Sequence, residues 1–186
     1  MTSTVEFEIA FHSPFRVSTG HARSGVDATV SREDPLPNTS VKGVMRATAT
    51  RLLGDDATIV EEVFGSPRVE SPWRWGRVTT PDGSTWHRPQ AAARLKIDPC
   101  TRTASTDMLA ISEQTGAELA GFSVTQRHHL PPEELHRHRL VLAVTGQAIH
   151  SLGAETRRGL GWVGITCTNV DLDEQAVTDF LELGAS

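Results

Sequence analysis

The sequence predicts an α+β domain with a ferredoxin-like, RRM-type core that carries an inserted lobe and a thumb-like hairpin. Apolar and polar residues alternate along residues 4–11, which is typical of a half-buried strand. Two later segments begin as helices do, near residues 39 and 131. Strand-like segments follow each of them. The resulting order, β–α–insertion–β–β–α–β, is the ferredoxin-like plan, and we predict one domain over residues 1–186.

The first third of the chain contains a strand, a long loop and two helices. Residues 12–37 are rich in Ser, Gly, Thr and Pro and predict a loop. A helix is predicted from about Thr39 to Gly54, since glycine commonly ends a helix. A short acidic helix is predicted over 56–64. The stripe of the first helix that should face the core consists of Val41, Val44, Met45, Thr48, Leu52 and Leu53.

The middle of the chain predicts two insertions, at about 66–90 and 99–116. The first is rich in Pro, Gly and Arg and is predicted to be a lobe, in which tryptophans either form a small core or stack on bases. These tryptophans are Trp73, Trp75 and Trp86. Residues 91–98 predict a strand. Residues 99–116 are polar and turn-rich, and we predict that they form a mobile hairpin.

The last third predicts a strand over Leu119–Gln126 and a helix from Pro131 to about Leu152, with proline and acidic residues in its first turn. A glycine-rich loop leads to a strand over 162–170. A short acidic helix over 173–183 follows. Four histidines have a spacing that is poor for metal binding and are predicted to lie at the surface: His128, His129, His136 and His138.

Composition excludes several classes of protein. No apolar run approaches the ~18 residues of a membrane span, and the N-terminus lacks the pattern of a signal peptide. Cys100 and Cys167 are too few for a disulfide framework, so a reducing cytoplasm is the expected compartment. The net charge of −5 argues against a free-standing nucleic-acid-binding domain. A nucleic-acid-binding chain of this charge would be expected to bind weakly alone and tightly within an assembly.

Residues 36–46 (LPNTSVKGVMR) predict a tight loop that enters a helix. Thr39 or Ser40 could cap that helix by accepting a bond from a free backbone N–H. Lys42 and Arg46 are four residues apart and project from one face, and Gly43 leaves space between them. Free N–H groups, a hydroxyl and two cations at a helix start are typical of a phosphate site.

Two further loop motifs flank this one in the sequence, one before it and one after it. Residues 25–28 (GVDA) lie in the first loop, and residues 152–161 (LGAETRRGLG) form the late glycine loop. Together with residues 37–46, this succession resembles the RAMP superfamily of CRISPR effector complexes, and most of all the backbone subunit of type III complexes. Asn38 stands where the family usually has glycine, and asparagine also tolerates a positive φ. The resemblance spans roughly residues 4–170.

The resemblance implies an RRM-like subunit that polymerises along guide RNA, with target RNA, other effector subunits and copies of itself as partners. It implies that the 99–116 excursion is a thumb that enters the guide–target duplex. It also implies RNA contacts from the helix start and the late loop. Two residues of the first loop are further candidates. The expected RNA-binding residues are His21, Arg23, Ser40, Lys42, Gly43, Arg46, Gly153, Arg157, Arg158, Gly159 and Gly161.

Asp27 matches the family position from which an aspartate cuts target RNA with a divalent metal, Mg²⁺ or Mn²⁺. A single carboxylate can help to place a hard cation beside the scissile phosphate, with RNA phosphates as the other ligands. Without the resemblance, an aspartate in such a loop is most often a turn former. Glu33 and Asp34 are nearby competitors for the role.

Three alternatives stay open from the sequence. One is a structural RAMP subunit that binds RNA without cutting it. Another is a metal-independent endoribonuclease that processes guide RNA, for which His12, His21 and His150 are the candidate acid–base residues. The last is an unrelated ferredoxin-like regulatory or ligand-binding domain, which the acidic composition favours.

Overall fold

The computed structural model describes residues 2–184, with the side chains of residues 96, 104 and 106–108 outside the description. A 3₁₀ turn covers Thr156–Arg158. The strands and helices in chain order are β1 (Thr4–Phe11), α1 (Asn38–Leu53), α2 (Thr58–Phe64), β2 (Trp73–Trp75), β3 (Gln90–Ile97), β4 (Ala104–Gln114), β5 (Leu119–Gln126), α3 (Pro132–Gln147), β6 (Val163–Cys167) and α4 (Glu174–Glu182).

The central sheet has four strands in the order β2–β5–β1–β6, and each neighbouring pair is antiparallel. With α1 after β1 and α3 after β5, this is the ferredoxin-like arrangement, which confirms the predicted fold class. Phe7 on β1 lies opposite Phe122 on β5, and the two rings stack with centroids 4.7 Å apart. The alternation read from residues 4–11 therefore sets which face of β1 enters the core.

The second core strand is not where the sequence placed it. Residues 91–98 were expected in the central sheet, yet β3 pairs only with β4 in a separate two-stranded sheet. The core strand is Trp73–Trp75, inside the segment interpreted as a lobe with its own core. Trp73 and Trp75 are 2% and 5% exposed in the main core, so neither is available for stacking on bases. Three residues of alternation are too few to identify a strand from sequence.

Helix α1 packs against the sheet with most of its predicted stripe. Its buried residues include Val41, Met45 and Leu53, whereas Leu52 is 40% exposed and Ala49 is buried instead. Leu52 differs because successive residues turn by about 100°, which carries it to the flank of the stripe. Helix α3 ends at Gln147 rather than near Leu152.

One of the four histidines predicted at the surface is buried. His138 on α3 is 2% exposed, and its Nδ1 accepts a hydrogen bond of 3.1 Å from Trp73 Nε1. Burial lowers the pKa of His138 to about 4, with Arg137 acting in the same direction and Glu134 opposing. The imidazole is therefore neutral and structural at ordinary pH.

The hairpin β3–β4 lies outside the central sheet and contacts the loop over residues 12–37 through backbone hydrogen bonds. Ala28 pairs with Ser112 and Phe15 with Thr115. A hairpin was predicted over residues 99–116. That range covers most of the turn of the observed β3–β4 hairpin and its second strand, β4. We use "loop–hairpin region" for residues 12–37, 90–116 and 150–162. No helix within residues 2–184 is long and apolar enough to cross a membrane.

Candidate nucleic-acid interface

Helix α1 begins without the hydroxyl cap that was predicted. Pro37 occupies the N-cap position, no side chain caps the helix, and Thr39 and Ser40 lie within its first turn. Asn38 Nδ2 instead donates a 2.9 Å hydrogen bond to the Trp75 carbonyl on β2. That bond ties the helix start to the edge of the sheet and leaves the Ser40 hydroxyl free of a capping role.

A cleft of about 580 Å³ separates α1 from the late glycine loop. Gly43 is exposed there, and a Cβ atom built on it would meet nothing within 4 Å, so the helix backbone is open to a ligand. The structure thus brings together the two motifs that lie more than a hundred residues apart in sequence. Polar and small residues in the cleft wall include Arg16, Ser40, Gly43, Arg51, Gly153 and Ala154.

Lys42 and Arg46 do not line this cleft. Lys42 Nζ lies 4.9 Å from the centroid of the Trp75 ring, on another face of α1. Burial lowers the pKa of Lys42, and the neighbouring Arg46 lowers it further, while Glu70 opposes. Residues two apart in a helix are separated by roughly 200°, so Lys42 cannot share the face of Ser40. The two cations therefore lie on the side of α1 that faces away from the cleft, and we call this side the flank.

The structure supplies two cleft cations that the sequence analysis missed. Arg51 follows Ser40 by eleven residues, which is close to three whole helical turns, so both lie on one face. That spacing was a readable signal. Arg16 comes from the first loop, where no periodicity exists to place it. Both residues line the cleft.

Glycines hold the late loop against the first loop. Gly153 and Gly161 have φ values of +85° and +72°. A Cβ atom on Gly153 would collide with the Arg16 carbonyl, and one on Gly161 would collide with the Leu152 carbonyl. The Gly161 N–H donates to the Pro14 carbonyl at 2.7 Å. These two glycines act by permitting close backbone approach, whereas Gly159 is exposed with open space around it.

Glu155 is a carboxylate within the predicted RNA-binding loop, and it contacts three arginines. It lies 3.1 Å from Arg16, 3.8 Å from Arg158 and in direct contact with Arg94 on β3. Its own φ of +63° is uncommon for a residue other than glycine. Glu155 therefore links the first loop, the hairpin and the glycine loop beside the cleft. Arg157 is exposed.

Asp27 lies at the contact between the first loop and the hairpin. Its N–H donates to the Ile111 carbonyl at 2.7 Å, and its Oδ2 accepts from the Ile111 N–H at 2.8 Å. Asp27 is exposed, so its carboxylate is accessible to solvent. Among the described residues, no group of three or more His, Cys, Asp or Glu could hold a metal. The chain thus offers one carboxylate, which suits an ion held largely by other ligands.

Glu113 on β4 fixes the rest of the first loop. This carboxylate is 3% exposed and accepts hydrogen bonds from Arg23, Arg32 and the Val30 N–H at 3.1, 2.9 and 3.0 Å. Burial raises the pKa of Glu113, but the hydrogen bonds and the two guanidinium charges outweigh it and leave that pKa below its usual 4.5. His21 is exposed in the same loop, away from the cleft wall.

Comparison with known proteins identifies the family. The model of the RAMP superfamily matches residues 8–164. The chain belongs to the RAMP superfamily. Its glycine loop and α1 motif both fall within the matched range. No curated protein matches the sequence.

Solved structures show the same fold as this RAMP chain. A chain of the type III-B Cmr-beta complex bound to cognate target RNA gives a TM-score of 0.61 at 14% identity, covering 91% of this chain and 60% of that chain. This RAMP chain thus spans about 60% of that relative's length. A chain of the apo Cmr-beta complex gives a TM-score of 0.68 at 11% identity, covering 89% of this chain and 97% of that chain.

Proposed function

We propose that this RAMP chain is a guide-RNA-binding backbone subunit of a type III CRISPR effector complex. The observation that carries the proposal is the cleft between α1 and the glycine loop. Its wall combines Arg16 and Arg51 with the open backbone at Gly43. Guanidinium groups next to accessible backbone suit the phosphates of a nucleic-acid strand.

The partners follow from the fold and the charge. The structural neighbours come from type III-B complexes, one of them bound to target RNA. A chain with net charge −5 is poorly suited to hold RNA alone. We propose that repeated copies and other effector subunits jointly supply the positive surface, in the cytoplasm, with guide RNA in the cleft and target RNA paired to it.

The experiment that tests guide binding is substitution in the cleft. Arg51→Glu reverses one cleft cation, and we expect the RNA that co-purifies with the native complex to fall at least about tenfold. Binding should weaken for all RNA sequences alike, since a phosphate contact carries no base preference. The control is Arg137→Glu, which makes the same charge change at an exposed position of α3. Retention of repeat-derived RNA by Arg51→Glu, or no RNA affinity of the wild type at low salt, would contradict the proposal.

The flank is tested separately. Lys42→Ala with Arg46→Ala removes both flank cations and leaves Arg51 in place. If RNA follows α1 across the cleft and the flank, this pair should lower affinity and reduce the salt dependence of binding by about two counterions. Unchanged affinity would confine the RNA to the cleft.

We further propose that Asp27 serves target-RNA cleavage. Its exposed carboxylate would contact a Mg²⁺ or Mn²⁺ ion whose remaining ligands are RNA phosphates and water. Such an ion supplies electrostatic stabilisation at the scissile phosphate. Asp27 itself would position the ion, and the bond from Ile111 N–H would fix the orientation of the carboxylate.

The same bond favours a second candidate, a RAMP subunit that binds RNA without cutting it. Asp27 Oδ2 accepts the hydrogen bond from the Ile111 N–H, which joins the first loop to the hairpin. Asp27→Asn separates the two functions because its amide oxygen keeps the acceptor and loses the charge. If Asp27 positions a metal, Asp27→Asn should abolish Mg²⁺-dependent cleavage while guide retention and thermal stability stay near wild type. If Asp27 is structural, only Asp27→Ala should have an effect, and it should fall on stability.

A further inference from the structure

Glu155 places a carboxylate next to the wall of the cleft between α1 and the glycine loop. Arg16 and Ala154 both line the cleft, and the Ala154 N–H donates to the Arg16 carbonyl at 2.8 Å. Glu155 is the next residue, and its Oε2 lies 3.1 Å from Arg16 Nη2. The side chains of Arg16 and Glu155 are 12% and 24% exposed, so salt screens this pair less than a fully exposed one. A cationic residue of the cleft wall thus already has an anionic partner within the chain.

Positive charge exceeds negative charge around Glu155. Arg94 on β3 and Arg158 in the glycine loop contact the same carboxylate as Arg16, so three guanidinium groups share one negative charge. Burial lowers the pKa of Arg94, and the charges of Arg16 and Arg158 lower it further. Arg16 Nε is buried and has no hydrogen-bond partner among the described residues. An anion with more acceptor oxygens than a carboxylate, such as a phosphate, could therefore satisfy Arg16 better than Glu155 does.

Glu155 also has a backbone conformation that glycine adopts without strain. Its φ and ψ are +63° and 30°, in the left-handed region that a Cβ atom disfavours. The same loop has glycine at its other positions of positive φ, Gly153, Gly159 and Gly161. Since glycine would suit the turn better, the turn does not explain a glutamate at this position. Strain at a binding surface is a reason to seek a functional role for the side chain.

We infer that Glu155 competes with RNA phosphate for Arg16: its carboxylate occupies Arg16 in the free chain, and a phosphate that enters the cleft displaces it. The inference rests on the proposed guide-binding function and concerns the regulation of that site. The competition lowers the affinity of a single chain for any RNA. In an assembly, contacts of neighbouring subunits with the same strand add to the binding and outweigh this cost. Glu155 would thus disfavour binding of RNA outside the complex.

RNA binding by the full chain with Glu155→Gln tests the inference. Glutamine keeps the size of the side chain and removes its charge. We expect the affinity for a short single-stranded RNA at low salt to rise roughly threefold to fivefold. Glu133→Gln, which makes the same charge change at an exposed position of α3, is the matched control and should leave the affinity unchanged.

The salt dependence of binding is a second readout. In the wild type, the displaced carboxylate regains a counterion as the phosphate releases one, so the exchange at Arg16 is nearly independent of salt. In Glu155→Gln no carboxylate is displaced, and the slope of log K against log salt should become steeper by about 0.7. A purely structural role predicts the opposite outcome, in which RNA affinity and thermal stability fall together. That outcome would overturn the inference.

Two further variants keep the test decisive. Glu155→Asn also removes the charge, and asparagine tolerates a positive φ, so this variant should show the gain even if glutamine disturbs the loop. In the double variant Arg16→Gln with Glu155→Gln, the gain from the second substitution should shrink, because the competition acts through Arg16. An equal gain with and without Arg16 would assign the effect to general repulsion and count against the inference.

These measurements also separate the inference from the proposed function. If the wild type binds RNA at low salt and neither Glu155 variant binds it more tightly, the inference fails and the proposed function stands. If neither the wild type nor any variant binds RNA, both fail.

Discussion

The central sheet with its helices and the loop–hairpin region are held together by different forces. In the core, rings such as Phe7, Phe122 and Trp73 are almost completely buried, so their positions are fixed by the close packing of the neighbouring side chains. In the loop–hairpin region, a few polar groups each hold several segments, with Glu113 and Glu155 in contact with five arginines. The core therefore sets stability, while the region that carries the cleft and Asp27 depends on single contacts that one substitution can remove.

The largest effect should come from the core. Trp73→Ala removes a fully packed indole and its hydrogen bond to His138, and we expect a loss of about 3–5 kcal/mol in the free energy of unfolding. Trp162→Ala is the matched control because Trp162 is 59% exposed. It should cost less than about 0.5 kcal/mol. Urea denaturation measures both, and equal losses would contradict the packing argument.

A pair of glycines tests the loop–hairpin region in the same way. Gly161→Ala places a Cβ atom against the Leu152 carbonyl at positive φ and should cost about 3 kcal/mol. Gly159→Ala has a similar φ and open space around it, so only the backbone penalty of about 1 kcal/mol applies. Thermal unfolding and RNA binding are measured together. If Gly159→Ala were as damaging as Gly161→Ala, close backbone approach would not be the reason for glycine at 161.

The comparison also explains what sequence could predict. Strong periodicity in the sequence identified β1, α1 and β5 to within a residue or two at each end. The reason is that the apolar residues that form the pattern are the residues that pack in the core. The three-residue β2 lacked enough residues to show a pattern, so Trp73 and Trp75 were assigned to a lobe. His138 was misplaced, although it lies one helical turn before the buried residues Val141 and Leu142, and that spacing could have indicated its burial.

The residues of the candidate site also divide into those that local sequence patterns predicted and those that they did not. Ser40, Gly43 and Gly153 were predicted, and the structure brings them to one cleft. Lys42 and Arg46 were predicted to share one helix face, and neither lines the cleft, so their RNA contact stays a prediction. The position of Arg16 in the cleft and the role of Glu155 could not be predicted from the sequence. Both depend on how a loop without periodicity folds back on the chain.

Glu113→Gln tests whether one carboxylate holds the first loop on the hairpin. The amide cannot serve two guanidinium groups and the Val30 N–H, so we expect a loss of about 1–3 kcal/mol in unfolding free energy. Hydrogen exchange should rise in the first loop and leave β1 and β5 protected. Because the pKa of Glu113 lies below 4.5, its contribution is present at neutral pH and disappears as the pH falls below that value. Uniform exchange across the whole chain would contradict a local role.

The smallest expected effect is a pH dependence from the core. The pKa of His138 is about 4 in the folded chain against 6.5 for the free side chain, so the unfolded chain takes up a proton first as the pH falls. Stability is therefore complete above pH 6.5 and declines between 6.5 and 4, by about 1 kcal/mol from about pH 7 to about pH 5.5. That window lies above the acid range in which Glu113 titrates. His138→Asn offers an uncharged acceptor near the Nδ1 position and does not titrate. Urea unfolding of this variant should lose the decline between pH 7 and 5.5, whereas an unchanged decline would mean that groups outside the core govern it.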